Sequence, residues 1–163
     1  MTPRTAPRTR TPRAGARRRR SGPGDGRAKI LDAQILVVAA PTWVGHPSSW
    51  AQRALERMDA MISETDDQDR PVAYDRVAGV VVAGNEDGAH HVISEIVGGL
   101  GDIGFTIPPQ AWTYGNQGPG PGPDDRDTDH GHDWSASTGR AMAGNLVAVA
   151  RALAANPLPA PAS

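Results

Sequence analysis

Hydrophobic and polar positions alternate along the chain in blocks that predict two strand–loop–helix units in tandem. The apolar run at residues 35–40 ends in a loop at 41–49, and an amphipathic segment follows. A second apolar run, at 77–83, ends in a loop at 84–91, and a periodic segment follows again. Apolar runs of this length, bounded by proline and glycine, predict buried strands, and their alternation with helices predicts a parallel α/β sheet.

Apolar spacing and capping residues predict the positions of the helices. Ser48 or Ser49 is expected to cap a helix that runs to about residue 63. A second helix is expected at about 89–101 and a last one at about 134–155, which ends before a proline. The predicted packing faces of the first and last of these helices are Ala51, Leu55, Met58 and Ile62, and Leu146, Val149, Ala150 and Leu153.

Three further segments complete the predicted order of elements. Residues 27–32 are expected to end a helix that precedes the first strand. Residues 105–107 are expected to form a short strand, and the glycine- and proline-rich stretch at 108–133 is expected to be irregular. A loop of that length is usually functional or disordered.

The loop after the first strand has a composition that suits a planar ligand. Pro41 and Pro47 stiffen it, and Gly45 allows another group to approach the backbone closely. Trp43 offers a flat apolar surface beside exposed peptide N–H groups. In an open α/β sheet, ligands bind at the carboxyl ends of the strands, where this loop lies. The loop therefore favours a planar aromatic ligand with polar edges.

Together, the two loops carry a resemblance to a known family. Residues 41–48 resemble the isoalloxazine-binding loop of the flavodoxin-like NADPH-dependent FMN reductases, and residues 84–91 resemble the second flavin loop of one branch of that family. The similarity extends from about residue 26 to residue 159. The resemblance implies an α/β fold of the flavodoxin-like type, in which three layers are formed by a parallel sheet and the helices on both of its faces. It also implies FMN as the cofactor and NADPH as the electron donor.

The same resemblance implies a set of flavin-binding residues. In that family, backbone groups hold most of the isoalloxazine edge, so no catalytic side chain is assigned. Alternatives remain for parts of the set: Asp87 could simply cap a helix, and the two aromatic residues after position 110 could fill the edge of the core. The implied cofactor-binding residues are Pro41, Thr42, Trp43, Val44, Gly45, Ser48, Gly84, Asn85, Gly88, Trp112 and Tyr114.

Histidines and carboxylates raise the question of a metal site, but their spacing in the sequence does not support one. His90 and His91 are adjacent, and adjacent residues on a helix point about 100° apart, so they chelate one ion poorly even with Glu86 and Asp87 nearby. The segment 129–133 contains two histidines without a third ligand at a definite spacing. The charged loop at 64–71 is expected to be solvated. No metal site is therefore assigned.

The amino-terminal segment differs in composition from the rest of the chain. Residues 1–24 contain eight arginines and no acidic residue, whereas the whole chain has a net charge of −1. With almost no large apolar side chain, residues 1–25 are expected to be a disordered Arg/Pro/Gly-rich head, or a mistranslated one, since GC-rich DNA read out of frame yields this composition. An arginine cluster could contact nucleic acid, but no aromatic residue is interleaved with it, so such binding is not expected.

The family's first strand, phosphate-binding loop, first helix and second strand have no counterpart in this chain. Residues 26–160 are therefore expected to be an N-terminally truncated, partial flavodoxin-like FMN-binding domain, and these residues alone are expected to bind FMN weakly. The strand at 35–40 would then lack the neighbour that the fold supplies, which predicts association through its exposed edge. The complete protein is expected to be a homodimer.

Composition narrows the function further. The chain has no cysteine, which excludes disulfides, thiolate metal sites and cysteine nucleophiles and fits a cytoplasmic protein. No segment approaches the roughly 20 apolar residues of a membrane span. The expected function is that of a flavin-dependent oxidoreductase that passes electrons from NAD(P)H through FMN to a small acceptor such as a flavin or quinone. The alternatives are a one-electron carrier, an inactive remnant and a nucleic-acid-binding module.

Overall fold

The computed structural model describes residues 23–116, 119–128 and 132–162. Most of the predicted head, residues 1–22, lies outside the described residues, as does His130 of the two-histidine segment. The first helix begins at Pro23, so the last residues of the predicted disordered segment are helical. No helix of the described residues is both long enough and apolar enough to span a membrane.

Four helices and four strands make up the described residues, with short 3₁₀ turns at Asp59–Met61 and Asp125–Asp127. The helices that were predicted at about 89–101 and 134–155 are confirmed to within two residues. In chain order the elements are α1 (Pro23–Asp32), β1 (Ile35–Trp43), β2 (His46–Pro47), α2 (Ser49–Met58), β3 (Val77–Ala83), α3 (Ala89–Ile103), β4 (Trp112–Gly115) and α4 (His132–Ala155).

The sheet has the strand order β2-β1-β3-β4. β3 lies in the centre and runs parallel to both β1 and β4, as the two strand–loop–helix units predict. β2 is a two-residue strand that pairs antiparallel with the last two residues of β1. The carboxyl ends of the three parallel strands therefore meet at one edge, and the hairpin β1–β2 projects from that edge.

The strand predicted at residues 105–107 is wrong. Only Thr106 forms a bridge there, with Val77, and the regular strand β4 lies within the stretch that was predicted to be irregular. The Ala78 N–H donates to the Thr106 carbonyl (2.9 Å) and the Val80 N–H donates to the Ala111 carbonyl (2.8 Å). The chain therefore leaves β3 after Thr106 and returns to it at Ala111, and of the four residues between them Pro109 and Gln110 are exposed.

Helices cover both faces of the sheet, as predicted. On one face, α1, α2 and α3 cover a core in which Val80, Ile96 and Leu100 are fully buried. On the other face, α4 packs Leu146 against Val77. Side chains alternate between faces along β3, so its run of apolar residues supplies both cores.

Helix α2 ends earlier than predicted. Ser48 caps it, because its hydroxyl accepts a hydrogen bond from the Ala51 N–H (3.3 Å). After Met58 the chain tightens into the 3₁₀ turn, and this changes which side chain faces the core. Met61 is 2% exposed, whereas Ile62, which the helical spacing placed on the packing face, is 47% exposed.

Candidate functional site

A cleft of about 650 Å³ opens at the carboxyl ends of β1 and β3. It brings together six residues from the two loops that were predicted to bind a ligand. Four further residues that line it, Ala83, Glu86, Asp124 and Arg126, are not in the predicted cofactor-binding set. The lining residues are Pro41, Thr42, Trp43, Val44, Ala83, Gly84, Asn85, Glu86, Asp124 and Arg126.

The first loop forms a tight hairpin. Thr42 pairs with Pro47 and Trp43 pairs with His46, which leaves Val44 and Gly45 as the two turn residues. Both have positive φ angles, 52° and 76°, as a two-residue type I′ hairpin requires. A β-branched residue is strained in this conformation by about 1–3 kcal/mol, and such strain clusters at functional sites. The Val44 side chain is 86% exposed, so burial of this side chain does not offset the strain.

Gly45 and Gly88 hold the two loops together and do not line the cleft. A Cβ atom on Gly88 would lie 2.7 Å from the Gly45 Cα, and Gly88 has a φ of 116° at the start of α3. The Gly45 N–H also donates to Glu86 Oε1 (3.4 Å). Ser48, another predicted binding residue, uses its hydroxyl to cap α2. These residues shape the site through the backbone.

Thr42 places an unpartnered hydroxyl beside the cleft. The residue is 6% exposed, and among the described residues its Oγ1 has no hydrogen-bond partner. Gly84 lies directly against it, since a Cβ there would be 2.9 Å from the Thr42 Cβ. A buried hydroxyl without a partner costs free energy.

The structure does not bring Trp112 and Tyr114 into this cleft. They line a second, smaller pocket of about 400 Å³ against α4. The Tyr114 ring packs edge-on between His90 (4.8 Å) and Trp134 (4.7 Å). Both side chains are half-buried and pack against the core, as the core-edge alternative predicts, and a contact of either with a flavin stays a prediction.

Arg126 contributes a cation to the cleft that sequence reasoning missed. Its side chain is 82% exposed, 3.5 Å from the Asp124 carboxylate and 3.7 Å from that of Asp127. A hydrogen bond from the Gly122 N–H to the Asn85 carbonyl holds this segment beside the second loop. The only signal in the sequence was a short charged group after the glycine–proline run, and nothing local indicates that it reaches the cleft.

A cluster of polar side chains lies between the hairpin β1–β2 and helix α3. His46 Nδ1 is 3.2 Å from His91 Nε2 and 3.4 Å from Glu95 Oε1, and His91 Nε2 is 2.8 Å from the same Glu95 oxygen. His91 and Glu95 are one turn apart on α3, so this cluster joins the hairpin to the helix.

Comparisons with known proteins give partial matches. No protein-family model matches the chain. It is 40% identical over 86 residues to 8-demethyl-8-aminoriboflavin-5'-phosphate synthase from Streptomyces davaonensis, a match that spans 53% of this chain and 34% of the synthase. It is also 40% identical over 83 residues to the divalent metal cation transporter MntH from Mycobacterium bovis, which spans 51% of this chain and 12% of the transporter.

Two solved structures are similar in fold. The structure of RosB with the bound intermediate 8-demethyl-8-formylriboflavin-5'-phosphate has a TM-score of 0.75 and 34% identity, and the match covers 80% of this chain and 52% of RosB. The Trp repressor binding protein from Bacillus subtilis has a TM-score of 0.51 and 18% identity, covering 69% of this chain and 67% of that protein. The chain thus spans about half the length of RosB. Its fold is the flavodoxin-like α/β fold, as the loop resemblance predicted.

Proposed function

We propose that the cleft binds the isoalloxazine ring of FMN and that the chain belongs to a flavin-dependent oxidoreductase that takes hydride from NAD(P)H. The observation that carries this proposal is the convergence of the two loops on one cleft at the carboxyl edge of the sheet. The similarity to RosB, whose structure holds a riboflavin phosphate derivative, supports a flavin as ligand.

The residues of the cleft fit such a ring. Trp43 and Val44 offer apolar surface from the hairpin, and Thr42, which lines the cleft, carries a buried hydroxyl without a partner among the described residues. A planar ring with carbonyl and N–H groups along its edge needs both kinds of contact. When bound, FMN would supply the redox chemistry, and the protein would position the ring and shape its electrostatic surroundings.

The charged residues at the cleft are suited to the second reactant. Arg126 is the cation among them, and a guanidinium binds phosphate groups through paired hydrogen bonds. Glu86 and Asp124 add acidic groups beside it. We place NAD(P)H, the electron donor, on this charged side of the cleft. After it leaves, a small acceptor, a flavin or a quinone, would bind in the same position.

A second candidate function follows from the 40% identity to the aminoriboflavin phosphate synthase. In that case the flavin phosphate is the substrate and is modified on its ring. The two functions require the same ring-binding cleft but differ in what happens to the flavin, so one experiment separates them. After anaerobic mixing of FMN-loaded protein with NADPH, rapid loss of the visible absorbance of oxidised flavin, with recovery of unmodified FMN in air, supports the oxidoreductase. A flavin of altered mass supports the synthase-like function.

Binding of the ring is tested with two exposed tryptophans that differ in position. Trp43 is 66% exposed and lines the cleft, whereas Trp50 is 77% exposed on α2, where Arg53 lies 5.5 Å from its ring centre. We expect Trp43→Ala to weaken FMN binding by about tenfold or more, or about 1.4 kcal/mol, in a fluorescence titration. Trp50→Ala should leave the dissociation constant unchanged. Equal effects of both changes, or no FMN binding by the unaltered chain, would overturn the proposed site.

Thr42→Val tests the polar contact in the cleft. Because its hydroxyl has no partner in the described part of the chain, this change should leave the free energy of unfolding of ligand-free protein unchanged or raise it, while FMN binding weakens. Thr113→Val is the matched control. The Thr113 hydroxyl donates to the Ser135 carbonyl (2.9 Å), so its loss should cost about 1 kcal/mol of stability and leave FMN binding intact. The reverse pattern would contradict the role given to Thr42.

A further inference from the structure

We propose that His46, His91 and Glu95 form a binding site for a divalent transition-metal ion of the zinc class, which fastens the hairpin β1–β2 to helix α3. The three ligand atoms come from two elements and lie within 4.8 Å of one another. Nothing in the proposed flavin site uses these side chains. The sequence pairs His91 with His90, its neighbour along the chain, whereas the fold pairs it with His46.

The spacing of the ligand atoms fits one face of a tetrahedral coordination shell. Zinc bonds of about 2.0–2.2 Å to nitrogen and carboxylate oxygen place tetrahedral ligands roughly 3.3–3.5 Å apart. His46 Nδ1 is 3.2 Å from His91 Nε2 and 3.4 Å from Glu95 Oε1. The third edge, His91 Nε2 to Glu95 Oε1, is 2.8 Å, and a small rotation of the exposed Glu95 side chain lengthens it. The fourth position faces solvent and is open to water.

The donor set selects the class of ion. Two imidazole nitrogens and one carboxylate oxygen suit Zn²⁺, Co²⁺ or Ni²⁺, whereas Ca²⁺ and Mg²⁺ prefer shells made of oxygen. His91 and Glu95 are four residues apart on α3, a spacing that puts both side chains on one face of the helix. The side chains of His46 and His91 are 63% and 52% exposed, so an ion reaches them without unfolding the chain.

The position of the cluster gives the ion a structural consequence. His46 directly follows the turn at Val44 and Gly45, and Val44 lines the cleft. An ion held by His46 and by two residues of α3 would restrain this strained turn against the helix. We therefore expect metal binding to reduce the opening of the hairpin, whether or not a flavin is bound.

The chain offers a matched control for the test. His90 is adjacent to His91 and also exposed, but its ring packs against Tyr114 on the other side of the helix. The experiment is a titration of the full 163-residue chain with Co²⁺ and Zn²⁺. Binding of Co²⁺ is monitored by its visible absorption spectrum, and binding of both ions is measured by calorimetry. We expect one ion per chain with a tetrahedral Co²⁺ spectrum. His46→Ala, His91→Ala and Glu95→Gln should each weaken binding by about tenfold or more, and His90→Ala by less than about twofold.

Hydrogen exchange provides a second readout. Addition of Zn²⁺ should slow the exchange of hairpin amides in the unaltered chain and in His90→Ala, but not in His46→Ala. Circular dichroism of each metal-free variant confirms that it folds, as is expected for changes at exposed side chains. Equal loss of binding in His90→Ala and His91→Ala, unchanged binding in His46→Ala, or an octahedral Co²⁺ spectrum would show adventitious surface binding and overturn the proposal.

Discussion

At the scale of single residues, contacts between backbones shape the candidate site. Gly45 and Gly88 come from loops that are more than 40 positions apart, and they approach so closely that a Cβ on Gly88 would lie 2.7 Å from the Gly45 Cα. Val44, beside this contact, adopts a positive φ of 52°. The hairpin tip that carries Trp43 is therefore held in place by the second loop, and both loops must be intact for the cleft to form.

This contact predicts a large effect for a single methyl group. Gly88→Ala combines a positive φ of 116° with a backbone clash, and we expect a loss of more than about 1 kcal/mol in the free energy of unfolding, with weaker FMN binding. Gly98→Ala is the control. Gly98 lies in α3, and a methyl group added there would meet no packed neighbour within 4 Å, so alanine should raise stability by roughly 0.5–1 kcal/mol. Urea unfolding measures both, and a neutral Gly88→Ala would contradict the close approach of the loops.

At the scale of elements, the charged loop between α2 and β3 is more ordered than its composition predicts. Asp66 accepts hydrogen bonds from the Gln68 and Arg70 N–H groups (2.9 and 3.1 Å) and from Arg70 Nε (2.9 Å). Arg70 also donates to Asp75 Oδ2 (2.8 Å), and Asp75 Oδ1 accepts from the Leu158 N–H (2.8 Å). Thr65 and residues 67–69 are exposed, as predicted for a solvated loop. The loop also anchors the segment after α4, because the tertiary fold brings that segment within reach.

This network predicts a pH dependence. The hydrogen bond from the Arg70 side chain, with that from the Gln68 N–H, holds the pKa of Asp66 below its ordinary value. The unfolded chain therefore binds a proton at a higher pH than the folded chain does, so the stabilisation is present above the ordinary pKa and is lost as the pH falls through the lowered one. Asp66→Asn should reduce the fall in stability that accompanies acidification below the ordinary aspartate pKa of about 4, measured by urea unfolding at a series of pH values. Asp67→Asn, a change at the exposed neighbouring residue, should leave the fall in stability at low pH as it is in the unaltered chain. Identical curves for Asp66→Asn and the unaltered chain would contradict the network.

At the scale of the whole molecule, the sheet has an open edge. β1 pairs with β3 along its length, but on its other side only Thr42 and Trp43 have a partner strand among the described residues. Val37 on this strand is 44% exposed. An apolar strand with unpaired N–H and C=O groups is a template for another strand, which agrees with the association predicted from the sequence.

The open edge predicts self-association of the 163-residue chain. Val37→Lys adds a charge to the edge strand, and we expect it to shift the chain toward monomer in sedimentation velocity experiments. Val147→Lys is the control: Val147 is 39% exposed but lies on α4 and not on the edge strand, so its change should leave the degree of association unchanged. A monodisperse monomer for the unaltered chain would show that this edge is not a pairing surface.

The elements that could be predicted from the sequence are those whose signal is local. β1 and β3 are runs of apolar residues, and α3 and α4 have a helical period of apolar residues. Ser48 caps α2 by accepting a hydrogen bond from the N–H of Ala51, three residues later in the chain. The convergence of the two loops was also predictable, because parallel strands bring their carboxyl ends to one edge. Local pattern and chain direction therefore determined the fold class and most of the cleft.

The tertiary structure decided the features whose partners are distant along the chain. β4 exists because β3 offers hydrogen bonds to residues 112–115, and the same pairing sets Tyr114 between His90 of α3 and Trp134 of α4, outside the cleft. Arg126 reaches the cleft, and His46 meets His91, only because loops from separate units fold onto each other. Spacing along a sequence carries no information about such contacts, since each depends on the packing of the whole sheet and its helices.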